Sequence, residues 1–135
     1  MSKLKVSFDY DGTLADDFDG SINKQKDLIR SLARKYIMEG HDVCIITKRY
    51  DFDNRGLGKK NEYFDVFTLA KDLLIKKIYY TNREMKFSTI IKLKIDMHFE
   101  NSEYEVKLIN QACNEHNHKC ICVHIEDKYW RDLIQ

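Results

Sequence analysis

Short apolar segments alternate with longer amphipathic segments along the chain, and this alternation constrains the fold more than any other feature. The apolar segments predict five β-strands, over 4–8, 42–47, 77–81, 95–100 and 119–125. The segments between them predict helices over 21–40, 62–77, 85–94 and 102–116, with a last short helix over 127–135. Strands joined through helices need crossover connections, which produce a parallel sheet with helices on both faces.

We therefore predict an α/β fold in a single domain, residues 1–135. Its architecture is expected to be a three-layer α/β/α Rossmann-like sandwich around a mostly parallel five-stranded sheet. Ser21 is the predicted N-cap of the first helix and Gly40 its C-terminal stop, and Ser102 is predicted to cap the helix after the fourth strand.

Composition and charge exclude several functions. The chain carries 23 basic and 22 acidic side chains, a net charge of +1, which argues against a general nucleic-acid coat or a protein that binds anionic membranes. No apolar run is long enough to span a bilayer, and the segment 1–8 is too short and too charged for a signal peptide. We therefore expect a cytoplasmic protein without membrane association.

The four cysteines fit this compartment as reduced thiols, and none of them belongs to a C-x-x-C pair. Cys44 is expected in the core. The segment 113–122 combines cysteines with histidines, but their spacing matches no standard zinc pattern. We interpret these thiols as structural, with a zinc site as the alternative.

Chemistry in a parallel sheet concentrates at the carboxyl ends of the strands, near the point where the strand order reverses. The polar, charged or glycine residues after the first, second and fourth strands are Asp9, Asp11, Gly12, Thr13, Thr47, Lys48, Arg49, Glu100 and Asn101. Carboxylates from two strands beside an amide oxygen form an all-oxygen site, which suits Mg²⁺ and not zinc. A cation there would also relieve the repulsion between Asp9 and Asp11, which stand two positions apart.

The segment "DYDGTL" (9–14) resembles the first signature of the haloacid dehalogenase superfamily of phosphotransferases, D-x-D-G-[TV]-[LV]. "CIIT" (44–47) resembles the second signature, an apolar strand that ends in Thr or Ser. Lys86 stands where the family has a lysine before the fourth strand, with Lys92 as the alternative, and "HFENS" (98–102) stands where it has an acidic pair. The resemblance covers residues 4 to about 125.

This resemblance implies an Mg²⁺-dependent phosphomonoester hydrolase that works through an aspartyl-phosphate intermediate. Asp9 would be the nucleophile, and Asp11 would serve as general acid and then as general base. Lys86 would bind phosphate oxygens, as would Thr47. The implied sets are catalytic Asp9, Asp11, Thr47 and Lys86; substrate-binding Gly12, Thr13, Lys48 and Arg49; and metal-binding Asp9, Asp11, Glu100 and Asn101.

The pair Glu100–Asn101 departs from the family pattern, which usually has Asp-Asp or Glu-Asp. An amide oxygen can coordinate Mg²⁺ but brings no negative charge, so we expect weaker metal binding unless Glu100 supplies that charge. The alternative function is a catalytically weakened member of the same fold that serves as a binding or regulatory protein.

The predicted connections leave no room for a cap domain, which implies an open site. Such a site suits large or extended phosphorylated substrates, or it is closed by a partner subunit such as a second copy of the chain. The loop 48–60 offers cations and rings for a nucleotide or a nucleic-acid end. Its cations are Lys48, Arg49, Arg55, Lys59 and Lys60, and its rings are Tyr50 and Phe52.

The candidate residues also have purely structural interpretations. Asp9 and Asp11 can form a solvated acidic turn, Lys86 can be a surface lysine, and the loop cations can be solvated. His98 is expected to be a packed or solvated strand residue, and Trp130 is expected to cover the sheet.

Overall fold

The computed structural model describes residues 3–51 and 62–134, and within them the elements follow the predicted order. The strands are β1 (Lys5–Phe8), β2 (Asp42–Thr47), β3 (Lys77–Tyr80), β4 (Met97–Glu100) and β5 (Ile121–His124). The helices are α1 (Lys26–Met38), α2 (Glu62–Leu73), α3 (Phe87–Leu93) and α4 (Glu103–Glu115). A tight turn, Tyr10–Leu14, follows β1, and a short 3-10 helix, Trp130–Ile134, follows β5. Among these described elements, no helix has the length and apolar character needed to cross a membrane.

All five strands belong to one parallel sheet with the order β3-β2-β1-β4-β5. β1 lies at its centre, where Phe8 pairs with Ile45 of β2 and with Phe99 of β4. The chain places β2 and β3 on one side of β1 and then crosses to the other side for β4 and β5. The strand order therefore reverses between β1 and β4, and their carboxyl ends flank the switch point.

Two cores cover the two faces of the sheet. On one face Phe8 and Phe99 stack with ring centroids 4.6 Å apart, and this core also contains Trp130 and the buried faces of α1 and α2. On the other face Ile46 packs with Ile109 of α4 and with buried residues of α3. Burial on both faces confirms the predicted three-layer α/β/α fold around a parallel five-stranded sheet, with Trp130 covering one face.

The predicted start of the first helix is wrong. α1 begins after Ser21, with Gln25 at its cap position. The segment 21–25 forms a turn and not a helix, because the side-chain amide of Asn23 donates a hydrogen bond to the main-chain carbonyl of Thr13 at 2.8 Å. That contact joins the segment to the turn after β1, so the helix begins later in the sequence than predicted.

The other helix ends agree better with the sequence. Gly40 follows α1 with a φ of +89°, a conformation that glycine adopts without strain. The hydroxyl of Ser102 accepts a hydrogen bond from the Glu105 amide, which confirms the predicted cap of α4. α2 ends at Leu73, before the predicted limit of 77.

All four cysteines are free thiols. Cys44 lies in the core as predicted, and burial raises its pKa to about 12. Cys113 is buried in the same core, and Cys120 and Cys122 pack against it. The thiols of the segment 113–122 are thus packing residues.

Candidate active site

The ends of β1 and β4 carry two carboxylates with a lysine between them. Asp9 follows β1, and Glu100 is the last residue of β4. Lys86, which precedes α3, donates to Asp9 Oδ1 at 2.6 Å and to Glu100 Oε1 at 2.7 Å. All three side chains are buried, and Lys86 is only 2% exposed. The carboxylates that the sequence places at these two strand ends therefore meet at the switch point through the predicted lysine.

This buried cluster contains two carboxylates and one ammonium group. Burial and the nearby Glu100 carboxylate raise the pKa of Asp9 to about 7, although Lys86 opposes the rise. Burial alone would lower the pKa of Lys86, but the two carboxylates outweigh it and hold that pKa above its usual value. The cluster therefore has a deficit of positive charge, which a further cation would relieve.

The turn Tyr10–Leu14 brings more polar groups to Asp9. Thr13 donates its hydroxyl to Asp9 Oδ2 at 3.0 Å. Gly12 has a φ of +77°, and a Cβ at this position would collide with the amide of Asn101. The absence of a side chain at Gly12 thus lets Asn101, which follows β4, lie directly against the turn.

Asp11 is held by Arg49 through two hydrogen bonds. Arg49 Nε donates to Asp11 Oδ2 at 3.0 Å, and Nη2 donates to Oδ1 at 2.8 Å. The main-chain amide of Arg49 donates to the buried hydroxyl of Thr47 at 3.3 Å. The rings of Tyr10 and Phe18 lie 4.9 and 5.2 Å from the guanidinium carbon. Both oxygens of Asp11 are therefore engaged by one side chain.

Glu105 of α4 is a candidate that the sequence analysis missed. Its Oε1 accepts a hydrogen bond from the main-chain amide of Lys86 at 3.2 Å. Its Oε2 lies 3.4 Å from Lys48 Nζ, an ion-pair distance, but accepts no hydrogen bond from the described part of the chain. Glu105 is buried on the same face of α4 as Ile109 and Ala112. An acidic residue on this apolar stripe is the signal that identifies it.

His98 supports Glu100 from inside the sheet. Its Nε2 lies 3.0 Å from Glu100 Oε1, and its Nδ1 lies 2.7 Å from the hydroxyl of Ser7. Burial and the positive charge of Lys86 lower the pKa of His98 to about 3, so the ring is neutral. Because a carboxylate only accepts, Nε2 carries the proton and Nδ1 accepts from Ser7. Glu100 is thus bound by Lys86 and His98 within the protein.

The remaining predicted residues lie around this cluster or outside the described part. Lys92 is exposed, whereas Lys86 is buried between the carboxylates, which favours Lys86 over its alternative. Tyr50 lies against Arg83, with 4.9 Å between the ring centroid and the guanidinium carbon. The loop residues Phe52, Arg55, Lys59 and Lys60 lie outside the described residues.

A cleft of about 290 Å³ opens beside the turn, on the β5 side of the sheet. Its lining includes Gly12, Asp17, Asn23, Asn101, Ile125 and Glu126. Gln25 braces one wall against the other, because its side-chain amide donates to the carbonyl of Ile125 at 2.8 Å. Lys48 and Arg49 follow β2, on the other side of β1. Polar groups therefore flank the turn on both sides.

The described residues contain no group of three or more His, Cys, Asp or Glu side chains placed to hold a metal ion. The oxygens near the turn are of mixed kinds instead: the carboxylate of Asp9, the side-chain amide of Asn101 and the main-chain carbonyl of Asp11. Hard cations such as Mg²⁺ bind such mixed sets.

Compared with known proteins, the chain significantly matches no family model, no curated protein and no solved structure. The functional argument therefore depends on the motifs and on the contacts described above.

Proposed function

We propose that the protein is an Mg²⁺-dependent phosphomonoester hydrolase of the haloacid dehalogenase type, active in the cytoplasm. The observation that carries the proposal is the bridge from Asp9 through Lys86 to Glu100 at the switch point. Asp9 and Lys86 stand 77 positions apart in the chain, and the motif resemblance selects both. Their convergence in one buried cluster supports the assignment.

The reaction has two steps. An oxygen of Asp9 attacks phosphorus while the bond from phosphorus to the leaving oxygen breaks, and Asp11 gives its proton to that oxygen. Asp11 then takes a proton from the water that attacks the aspartyl-phosphate, which releases inorganic phosphate and restores Asp9. Lys86 holds phosphate oxygens throughout, together with the hydroxyl of Thr47.

A divalent cation fits beside the turn. Asp9, the main-chain carbonyl of Asp11 and the amide of Asn101 are the residues that would hold it, and the buried cluster has a deficit of positive charge. Bound Mg²⁺ supplies charge neutralisation to the transferring phosphoryl group. Glu100 acts on Lys86 in this scheme, because Lys86 and His98 engage its Oε1 and the main-chain amide of Ser102 donates to its Oε2 at 3.2 Å.

A nucleotide or a nucleic-acid end is the substrate class that fits best. Lys48 provides a cation beside the turn for further phosphate groups, and Tyr50 provides a ring for a base. The guanidinium of Arg49 is instead engaged by Asp11. The cleft beside Gly12 and Asn101 accepts the leaving group from the other side. A second copy of the chain is one means of closing this site.

The second candidate is a binding or regulatory protein with the same fold. Two observations favour it: Asn101 stands where an acidic ligand is usual, and Asp11 is bound by Arg49. Such a protein would bind Mg²⁺ or phosphate without turnover.

The test is hydrolysis of para-nitrophenyl phosphate with and without Mg²⁺. We expect Mg²⁺-dependent activity that Asp9→Asn abolishes, because the amide cannot attack phosphorus. Asp27→Asn makes the same change on the exposed surface of α1 and should retain the activity. Activity that persists in Asp9→Asn would contradict the proposal, and a wild-type protein without turnover would favour the second candidate.

The assignment of Asn101 has its own test. Asn101→Asp adds a negative charge next to the turn, so we expect it to tighten Mg²⁺ binding, measured by calorimetric titration of both forms. Equal or weaker affinity in the variant would count against Asn101 as a ligand.

A further inference from the structure

We propose that Arg49 is a positioning residue that holds Asp11 away from the substrate. When Asp11 turns to the substrate, the guanidinium of Arg49 forms its ion pair with Asp65 instead. The inference rests on the proposed function, because Asp11 is the acid of that reaction. The juxtaposition that carries it is one guanidinium between two carboxylates. Asp11 belongs to the turn after β1, and Asp65 belongs to α2.

The Arg49–Asp11 contact blocks acid catalysis as it stands. A general acid must present a protonated oxygen to the leaving group. Both oxygens of Asp11 instead accept hydrogen bonds, from Nε and Nη2 of the same guanidinium. Two-pronged pairs of this kind are among the stronger ionic contacts, and water screens this one little, because the two side chains are 9% and 18% exposed. Asp11 must leave Arg49 before it can give a proton.

Asp65 offers the guanidinium a second partner. Arg49 Nη1 lies 3.7 Å from Asp65 Oδ2, longer than a hydrogen bond, so this pair is loose while Asp11 is bound. Separating a buried arginine from its carboxylate partner costs free energy. Asp11 is therefore released more easily if Asp65 pairs with the guanidinium at the same time. The rings of Tyr10 and Phe18 flank the guanidinium and limit it to small movements.

The kinetic test compares Asp65→Asn with Asp72→Asn, which makes the same change at an exposed position of the same helix. With phenyl phosphate, whose leaving group needs the acid, we expect Asp65→Asn to lower kcat/KM roughly tenfold, because kcat/KM reports the first step, in which Asp11 acts as the acid. With para-nitrophenyl phosphate, whose leaving group needs little help, we expect kcat/KM to change by less than about twofold. Asp72→Asn should affect neither ester. Structural damage would lower kcat/KM for both esters alike.

A double variant tests the order of the effects. Arg49→Gln cannot make the two-pronged contact, so adding it to Asp65→Asn should restore kcat/KM for phenyl phosphate. Two results would overturn the proposal: Asp65→Asn kinetics equal to those of Asp72→Asn, or an Arg49→Gln variant that raises KM at unchanged kcat. The second result would identify Arg49 as a substrate ligand.

The nitrogen–proton signal of Arg49 Nε gives a readout that does not depend on turnover. We expect Asp11→Asn to shift this NMR signal and Asp72→Asn to leave it in place. Mg²⁺ with beryllium fluoride, a phosphate mimic, should move the wild-type signal toward its position in Asp11→Asn. If the Arg49 Nε signal does not change in Asp11→Asn, the Arg49–Asp11 ion pair is refuted, even in an active enzyme. Wild-type protein that hydrolyses neither ester refutes the proposed function, whereas an active enzyme without an Asp65 effect refutes only the transfer to Asp65.

Discussion

The side chain of His98 in β4 lies between the hydroxyl of Ser7 in β1 and the carboxylate of Glu100 at the end of β4. The neutral ring donates to the carboxylate and therefore leaves Glu100 its full negative charge. That charge then fixes the ammonium of Lys86. One buried imidazole thus helps to place the lysine that binds phosphate in the proposed reaction.

The low pKa of His98 makes stability depend on pH. The folded ring binds a proton only near pH 3, whereas the unfolded chain binds one near pH 6.5, so the unfolded state takes up more protons between these values. We expect the free energy of unfolding to fall as pH drops from about 6.5 to about 3, by at most about 1.4 kcal/mol per pH unit from this residue. Urea unfolding of wild type and His98→Gln at several pH values measures this dependence. In the difference between the two curves, the contribution of the carboxylates that both proteins share cancels. Parallel curves would refute the prediction.

Single residues of the site differ in how far the sequence reveals them. Asp9 and Glu100 could be predicted, because each stands at the end of a strand whose place in a parallel sheet follows from the pattern. Lys86 was expected only from the resemblance to the family signatures, which left Lys92 as an alternative. The partner of Asp11 could not be predicted, since several cations follow β2 and only side-chain distances select Arg49. Glu105 needed the helical stripe of α4 to be examined for an acid.

The helix ends show the same distinction at the scale of elements. Ser102 was predictable as a cap because its hydroxyl bonds to an amide three residues ahead. The start of α1 was not, because Asn23 binds the main chain of Thr13, ten positions earlier. Local hydrogen bonds follow from neighbouring residues, whereas contacts between elements depend on the completed fold.

The turn after β1 gives a prediction at this scale, with Gly20 as the control for Gly12. Both glycines have a positive φ, so alanine at either position should cost about 1–2 kcal/mol of stability. Only at Gly12 would the new Cβ also meet a side chain, that of Asn101. We expect Gly12→Ala to be the less stable variant in urea unfolding and to bind Mg²⁺ more weakly, while Gly20→Ala keeps the wild-type metal affinity. Equal metal affinity in the two variants would mean that Asn101 is not a ligand.

Both faces of the sheet carry an apolar core, but at the central strands β1 and β4 the two faces differ in chemistry. The face toward α1 and α2 is filled by apolar side chains such as Phe8 and Phe99. On the opposite face β1 and β4 contribute Ser7 and His98, and α4 contributes Glu105. Because side chains alternate along a strand, the same β1 and β4 supply an apolar core on one face and a polar network on the other. The network lies behind the switch point, where it holds Lys86.

Lys86 joins β1, β4 and the start of α3, so its removal should affect the stability of the entire fold. In Lys86→Met two buried carboxylates lose the ammonium that separates them, which should cost about 3–5 kcal/mol in urea unfolding. Glu100→Gln added to this variant removes one of the two charges and should recover part of the loss. Lys92→Met, at an exposed position of α3, is the matched control and should be close to wild type. If the double variant is no more stable than Lys86→Met, the cost comes from lost packing and not from the repulsion of Asp9 and Glu100.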